Sequence, residues 1–210
     1  MPLAIDKYTR FEKLAEGGMG EVYRAEMLGI DNVRKVVAVK LIREDLMENP
    51  RIEQLFIQEA KLSLTLSHAN IVQVFDVGRV DKRYFMSMEL VDGWPLSQIL
   101  HWSMQRREAL PPHLAKLIAV EVLKALDYAH RRTDDAQTPL GLIHRDVSPS
   151  NILISREGEV KLADFGVAKC ALRARFSEHN TIVGKVAYMA PEQRAGGEVD
   201  RRADVFSLGA

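Results

Sequence analysis

Two strand-like segments, FEKLAE and EVYRAEM, flank the glycine-rich GGMG near the start of the chain, and a mostly apolar run, VVAVKLI, follows them. The pattern predicts a hairpin and a short buried strand, together a small β-rich unit. From residue 50 the period changes. Pro50 falls in a first turn, and Ile52, Leu55, Phe56, Leu62 and Leu66 mark one face of a helix over 50–66. Two more strand candidates, IVQVFDV and RYFMSMEL, precede the turn VDGWP, where a boundary between lobes is expected. Beyond it the texture is helical. PPHLAKLIAVEVLKALDYAH begins with two prolines and puts Leu114, Leu117, Ile118, Val122, Leu126 and Ala129 on one stripe. The polar RRTDDAQTPLG reads as a loop, and NILISREGEVKLADFG as two short strands around REGE.

Composition narrows the picture further. The 210 residues carry 29 Lys plus Arg against 29 Asp plus Glu, so the formal net charge is zero. No general field gathers polyanions, which argues against nucleic acid and anionic membrane as partners. At 47% hydrophobic and 28% charged residues the chain reads as globular, with a length that suits one large domain or two small lobes. One cysteine, Cys170, allows no intrachain disulfide and fits a reducing compartment. No uncharged apolar stretch is long enough to cross a bilayer and the first ten residues lack a targeting layout, so a cytoplasmic location is expected. The last residues, DVFSLGA, end inside an apolar pattern without a helix stop, so truncation at the start of a helix is expected.

Three groups of residues carry chemistry. Gly17, Gly18 and Gly20 lie between two strands, where missing side chains let backbone N–H groups approach phosphates; a plain hairpin turn uses the same glycines. Lys40 stands in VVAVKLI among apolar neighbours, where an ammonium needs an opposing charge. Glu59 falls on the apolar stripe of its helix and would supply one. The alternative is a lysine that ends an edge strand and snorkels to water, with Glu59 at the margin of the stripe. The third group is HRDVSPSN followed by DFG: Asp146, Asn151 and Asp164 supply a base and two oxygen ligands for a hard divalent cation, as phosphoryl transfer requires.

Taken in order, LAEGGMGEV, VAVK, FIQEA, MEL, HRDVSPSN, DFG, MAPEQ and DVFSLG resemble the motif set of the eukaryotic-type (Hanks-type) protein kinase superfamily, and especially its bacterial serine/threonine members. The resemblance covers the chain from about Tyr8 to Ala210. It implies an α+β, bilobal fold with a small β-rich N-lobe over 8–91 and a larger, mainly helical and incomplete C-lobe over 92–210. It implies ATP and Mg²⁺ as cofactors and a protein hydroxyl as acceptor.

Carried over residue by residue, Lys40 holds the α and β phosphates and pairs with Glu59. The loop of Leu14, Ala15, Glu16, Gly17, Gly18, Met19, Gly20, Glu21 and Val22 covers the nucleotide. Asp146 is the base, and Asn151 and Asp164 are the metal ligands. Val22, Ala38 and Leu153 sandwich the adenine, Glu89 and Val91 offer hinge backbone to it, and Met88 stands behind the pocket. His144 and Phe165 match two stacked members of the family's hydrophobic spine. Arg145 marks the type ordered by phosphorylation, for which Thr181, three residues before Gly184, is the first candidate site and Ser177 the second.

Four departures accompany the match. Ala15 replaces the first glycine, the loop before HRD is long, and Ser63 holds a normally apolar spine position. Ser148 stands where the family has a lysine, and Lys185 where it has a threonine, as if the two were exchanged. A lysine at 185 would restore the charge near the transferred phosphate. The reading is a protein serine/threonine kinase. A nucleotide-binding pseudokinase scaffold is the alternative, MAPEQ argues against a small-molecule kinase, and Ser148 leaves tyrosine preference open.

Overall fold

The computed structural model describes residues 5, 7–17, 20–48, 50–81, 83–134, 136–165 and 186–210, with the side chains of residues 47, 51, 52, 55 and 59 outside that description. The chain divides into two compact units. The first comprises Met1–Leu66 and Gln73–Leu90, and the second Ser67–Val72 and Val91–Ala210.

In the first unit, β1 (Tyr8–Gly17), β2 (Gly20–Leu28), β3 (Arg34–Ile42), β4 (Val74–Val80) and β5 (Arg83–Glu89) form an antiparallel sheet in the order β1-β2-β3-β5-β4. Residues paired across such a ladder share a face. One face carries Val22, Lys40 and Met86 in one row and Ala38 and Met88 in the next. The other carries Ala25, Val37, Val39, Leu41 and Phe85, which pack with Ile5 and Tyr8 into a buried core. The alternation in VVAVKLI thus places Ala38 and Lys40 on one side, between Val36 and Ile42, and Val37, Val39 and Leu41 on the other. Helices α1 (Glu44–Met47) and α2 (Pro50–Thr65) complete this unit. Among the described side chains of α2, Phe56, Ala60 and Ser63 are buried, at helical spacing.

The second unit contains β6 (Gly93–Pro95), α3 (Leu96–Gln105), α4 (Pro112–His130), β7 (Ile152–Ser155), β8 (Val160–Leu162), α5 (Pro191–Ala195) and α6 (Arg202–Gly209). Strands β6, β7 and β8 form a small antiparallel sheet.

Two expectations shift. The strand expected over IVQVFDV begins only at Val74. Ile71 instead bridges Leu162, and the Val72 N–H donates to the Leu162 carbonyl at 3.0 Å, so Ser67–Val72 belongs with the second unit. The stripe on α4 is buried only in its C-terminal half, at Val122, Ala125, Leu126 and Ala129. Leu114 and Leu117 are 40% and 51% exposed, because the half that packs on β8 and α6 is the second one.

Candidate active site

In the first unit the hairpin closes with Gly17 opposite Gly20. Gly20 has φ +154°, and a Cβ placed there would stand 1.9 Å from the Leu41 carbonyl oxygen. Only glycine permits β2 to run that close to β3. Ala15 sits beside a register shift in β1 between Lys13 and Ala15, which leaves Leu14 bulged and 48% exposed. Gly18 and Met19 lie outside the described residues.

Lys40 faces the row that holds Val22 and Met86, next to Ala38 and the buried Met88. Glu59 lies on α2, and its side chain is outside the description. The helix is tied to the sheet near its start, where Tyr84 of β5 donates from its hydroxyl to Glu53 at 2.7 Å and packs its ring, tilted, against Phe56 at 5.5 Å between centroids. That hydrogen bond raises the Tyr84 phenol above its usual pKa. At the end of β5, the Glu89 N–H donates to the Gln73 carbonyl at 2.8 Å.

The second unit holds the other implied groups. Asp146, Ser148 and Asn151 are all buried. The Asn151 amide donates to the Asp146 backbone carbonyl at 2.6 Å and to its carboxylate Oδ2 at 2.8 Å. With both donor bonds directed at Asp146, the Asn151 Oδ1 acceptor is the atom suited to a cation. The Asp146 N–H donates to His144 Nδ1 at 3.2 Å, and His144 Nε2 bonds the Ala163 carbonyl at 3.0 Å, a pattern that assigns the Nε2–H tautomer. The His144 and Phe165 rings pack against each other at 4.6 Å between centroids, tilted by 56°.

Beneath the loop is a fully buried carboxylate, the acid of the DVFSLG motif, to which motif reading gave no role. Asp204 of α6 accepts the backbone N–H groups of His144 at 2.8 Å and Arg145 at 2.7 Å, and bonds His130 Nε2 at 2.7 Å. Its signal in the sequence is one acid inside the apolar ADVFSLG. Gln193 of α5 adds a bond from Nε2 to the Arg145 carbonyl at 3.0 Å. These contacts hold Arg145 at φ +63°, and Asp164 stands at φ +59°, conformations that cost a non-glycine residue energy and persist where neighbours enforce them.

The remaining implied residues are divided between the units. Val22, Ala38, Met88 and Glu89 belong to the first, Val91 and Leu153 to the second. Ser148 is 3% exposed, and its Oγ has no hydrogen-bond partner among the described residues. Gly166, Cys170, Ser177, Thr181, Gly184 and Lys185 lie outside the described residues. Among the described residues no helix is long and apolar enough to cross a membrane.

Comparison with known proteins gives this arrangement a family. Residues 8–210 match the family model described as protein kinase domain. The chain is 39% identical over 202 residues to the tyrosine-protein kinase MasK of Myxococcus xanthus, covering 96% of this chain and 31% of that protein. It is 35% identical over 213 residues to the serine/threonine-protein kinase PknB of Mycobacterium leprae, covering 99% and 32%. The chain therefore spans about a third of the length of these relatives. Among solved structures it resembles the PknI kinase domain of Mycobacterium tuberculosis, with a TM-score of 0.74, 30% identity, and 98% of this chain and 72% of that one covered. The β-rich unit with its glycine hairpin and the helical unit with its buried HRD loop are those of the protein kinase domain family, and the chain belongs to it.

Proposed function

We propose that the chain transfers the γ-phosphate of Mg-ATP to a serine or threonine hydroxyl of a protein. The observation that carries this reading is the Asn151 amide bound twice to Asp146 at 2.6 and 2.8 Å, on a loop whose backbone is fixed by the buried Asp204. It presets the base and leaves one oxygen of Asn151 for a cation.

In the reaction so assigned, the acceptor hydroxyl gives its proton to the Asp146 carboxylate as its oxygen bonds to the γ-phosphorus, and the bond to the β–γ bridging oxygen breaks to release ADP. Lys40 and the N–H groups of the Gly17–Gly20 hairpin orient the phosphates. Asn151 and Asp164 offer hard oxygen donors, and the two of them with phosphate oxygens and water suit Mg²⁺, which takes few protein ligands. When bound, the metal neutralises charge developing on the phosphates. Val22, Ala38 and Leu153 enclose the adenine, and Glu89 and Val91 supply its backbone partners. Lys185 takes over the charge missing at Ser148. Thr181, then Ser177, is the site of self-phosphorylation that engages Arg145, and the protein acts in the cytoplasm in signal transduction.

The test is γ-phosphate incorporation by the full-length protein, followed by identification of the phosphorylated residue type. Phosphoserine or phosphothreonine formed by the wild type, with Asp146→Asn binding Mg-ATP but incorporating nothing, supports the reading. The similarity to a tyrosine-protein kinase gives phosphotyrosine a specific place among the outcomes, and it would overturn the serine/threonine assignment. Binding without transfer by either form would favour a scaffold.

A further inference from the structure

Behind the glycine hairpin, on the face of the sheet opposite Val22 and Lys40, four charged side chains form a chain with alternating sign. Lys13 Nζ lies 2.5 Å from a carboxylate oxygen of Glu16 and 2.8 Å from one of Glu21. The second Glu21 oxygen accepts from Arg83 Nη2 at 3.0 Å, and Arg83 Nε donates to the Ile42 carbonyl at 3.1 Å. The chain therefore joins β1, β2, β3 and β5 at the end of the sheet where the glycine turn stands. Its geometry is specific. Glu16 and Glu21 are direct cross-strand partners one pair below Gly17 and Gly20, an arrangement of like charges that disfavours pairing unless a cation lies between them. Lys13 is that cation, and it and Arg83 together hold the Glu21 carboxyl at about 2.

We propose that this ion chain is the device that positions the glycine hairpin: Glu21 and Arg83 lock β2 to the ends of β3 and β5 and so set where the Gly17 and Gly20 amides stand for a nucleotide's phosphates. The proposal rests on the nucleotide reading given above. Glu21 and Arg83 act through the hairpin backbone, as positioning residues on the face away from Lys40. A lone exposed pair would hold little, whereas here each inner member has two partners and one bond ends on a backbone carbonyl, which fixes direction as well as distance.

The experiment compares full-length wild type with Arg83→Met, Arg83→Lys and Glu21→Gln by amide hydrogen exchange over Gly20–Arg24, measured without nucleotide, and by Mg-ADP affinity and ATP kinetics. Arg83→Met and Glu21→Gln are expected to speed exchange of the hairpin amides, to weaken Mg-ADP binding and raise KM for ATP by about three- to tenfold, and to lower kcat by a smaller factor. Arg83→Lys, whose single ammonium replaces the fork, should recover part of the loss. Hairpin exchange equal to wild type in both neutralised variants overturns the proposal, as does tighter Mg-ADP binding by Glu21→Gln, which would mean that the carboxylate only repels phosphate. Failure of the wild type to bind Mg-ADP would remove the nucleotide reading, and the exchange data would still decide the clamp.

Discussion

The HRD loop and the glycine hairpin are held by opposite kinds of bond. The loop hangs from the fully buried Asp204, which accepts two backbone N–H groups and bonds His130, and it is braced by the buried Asn151. The hairpin is held by Lys13, Glu16, Glu21 and Arg83, whose side chains retain 42%, 69%, 23% and 30% of their exposure. Buried charge-assisted bonds are strong, insensitive to salt and costly to break, while exposed pairs are weak and screened. Under the proposed function, the part assigned to the proton is therefore the fixed part, and the part assigned to the phosphates is the more weakly held one.

Breaking the fixed side should have the largest effect. Asp204→Ala strands three buried donors, so unfolding free energy in a denaturant titration should fall by about 3–5 kcal/mol, and transfer should fall by about a hundredfold or more. Next in size is Lys40→Met, which should lower kcat by roughly a hundredfold while changing Mg-ADP affinity much less, since the role proposed for the lysine is to orient phosphates more than to bind them. An equal loss in both would assign Lys40 to ground-state binding.

A smaller change tests the anchorage of α2. Tyr84→Phe keeps the ring on Phe56 and removes only the hydroxyl bond to Glu53, so stability should drop by about 1–2 kcal/mol and kcat by about threefold. The polar anchor matters because Ser63 replaces an apolar residue on the same helix. The smallest effect concerns salt and pH. Raising KCl to 1 M should speed hydrogen exchange in the hairpin and leave the HRD loop unchanged. Because the Glu21 carboxyl is held at about 2 against its ordinary 4.5, its bonds contribute fully above pH 4.5 and are lost as pH falls toward 2. Hairpin protection, corrected for intrinsic exchange, should therefore stay flat between pH 5 and 9.

Much of this comparison was legible in the residues themselves. The glycine hairpin, the buried strand VVAVKLI and the order of HRDVSPSN and DFG could be read along the chain, whereas the shared face of Ala38 and Lys40 and the return of the Asn151 amide onto Asp146 are seen only in the structure. The support structures were not legible, for two physical reasons. Asp204 acts on residues about 60 positions earlier, and no local period encodes that contact. Arg83 and Glu21 each look like an ordinary strand-end charge until β5 is laid beside β3, since pairing across strands decides which charges meet. Ile71 and Val72 carry the apolar signature of a strand, yet they pair with Leu162 because the chain changes units at Gln73, a tertiary choice that outweighs local pattern.

The division of labour between the two regions is tested most directly by measuring Mg-ADP affinity and phosphate transfer side by side for Asp146→Asn and Arg83→Met in the full-length protein. A crossed result is expected: Asp146→Asn keeps its nucleotide affinity and loses transfer by about a thousandfold or more, while Arg83→Met loses affinity by about three- to tenfold and keeps most of its transfer rate at saturating ATP. The same pattern of loss in both variants would contradict it.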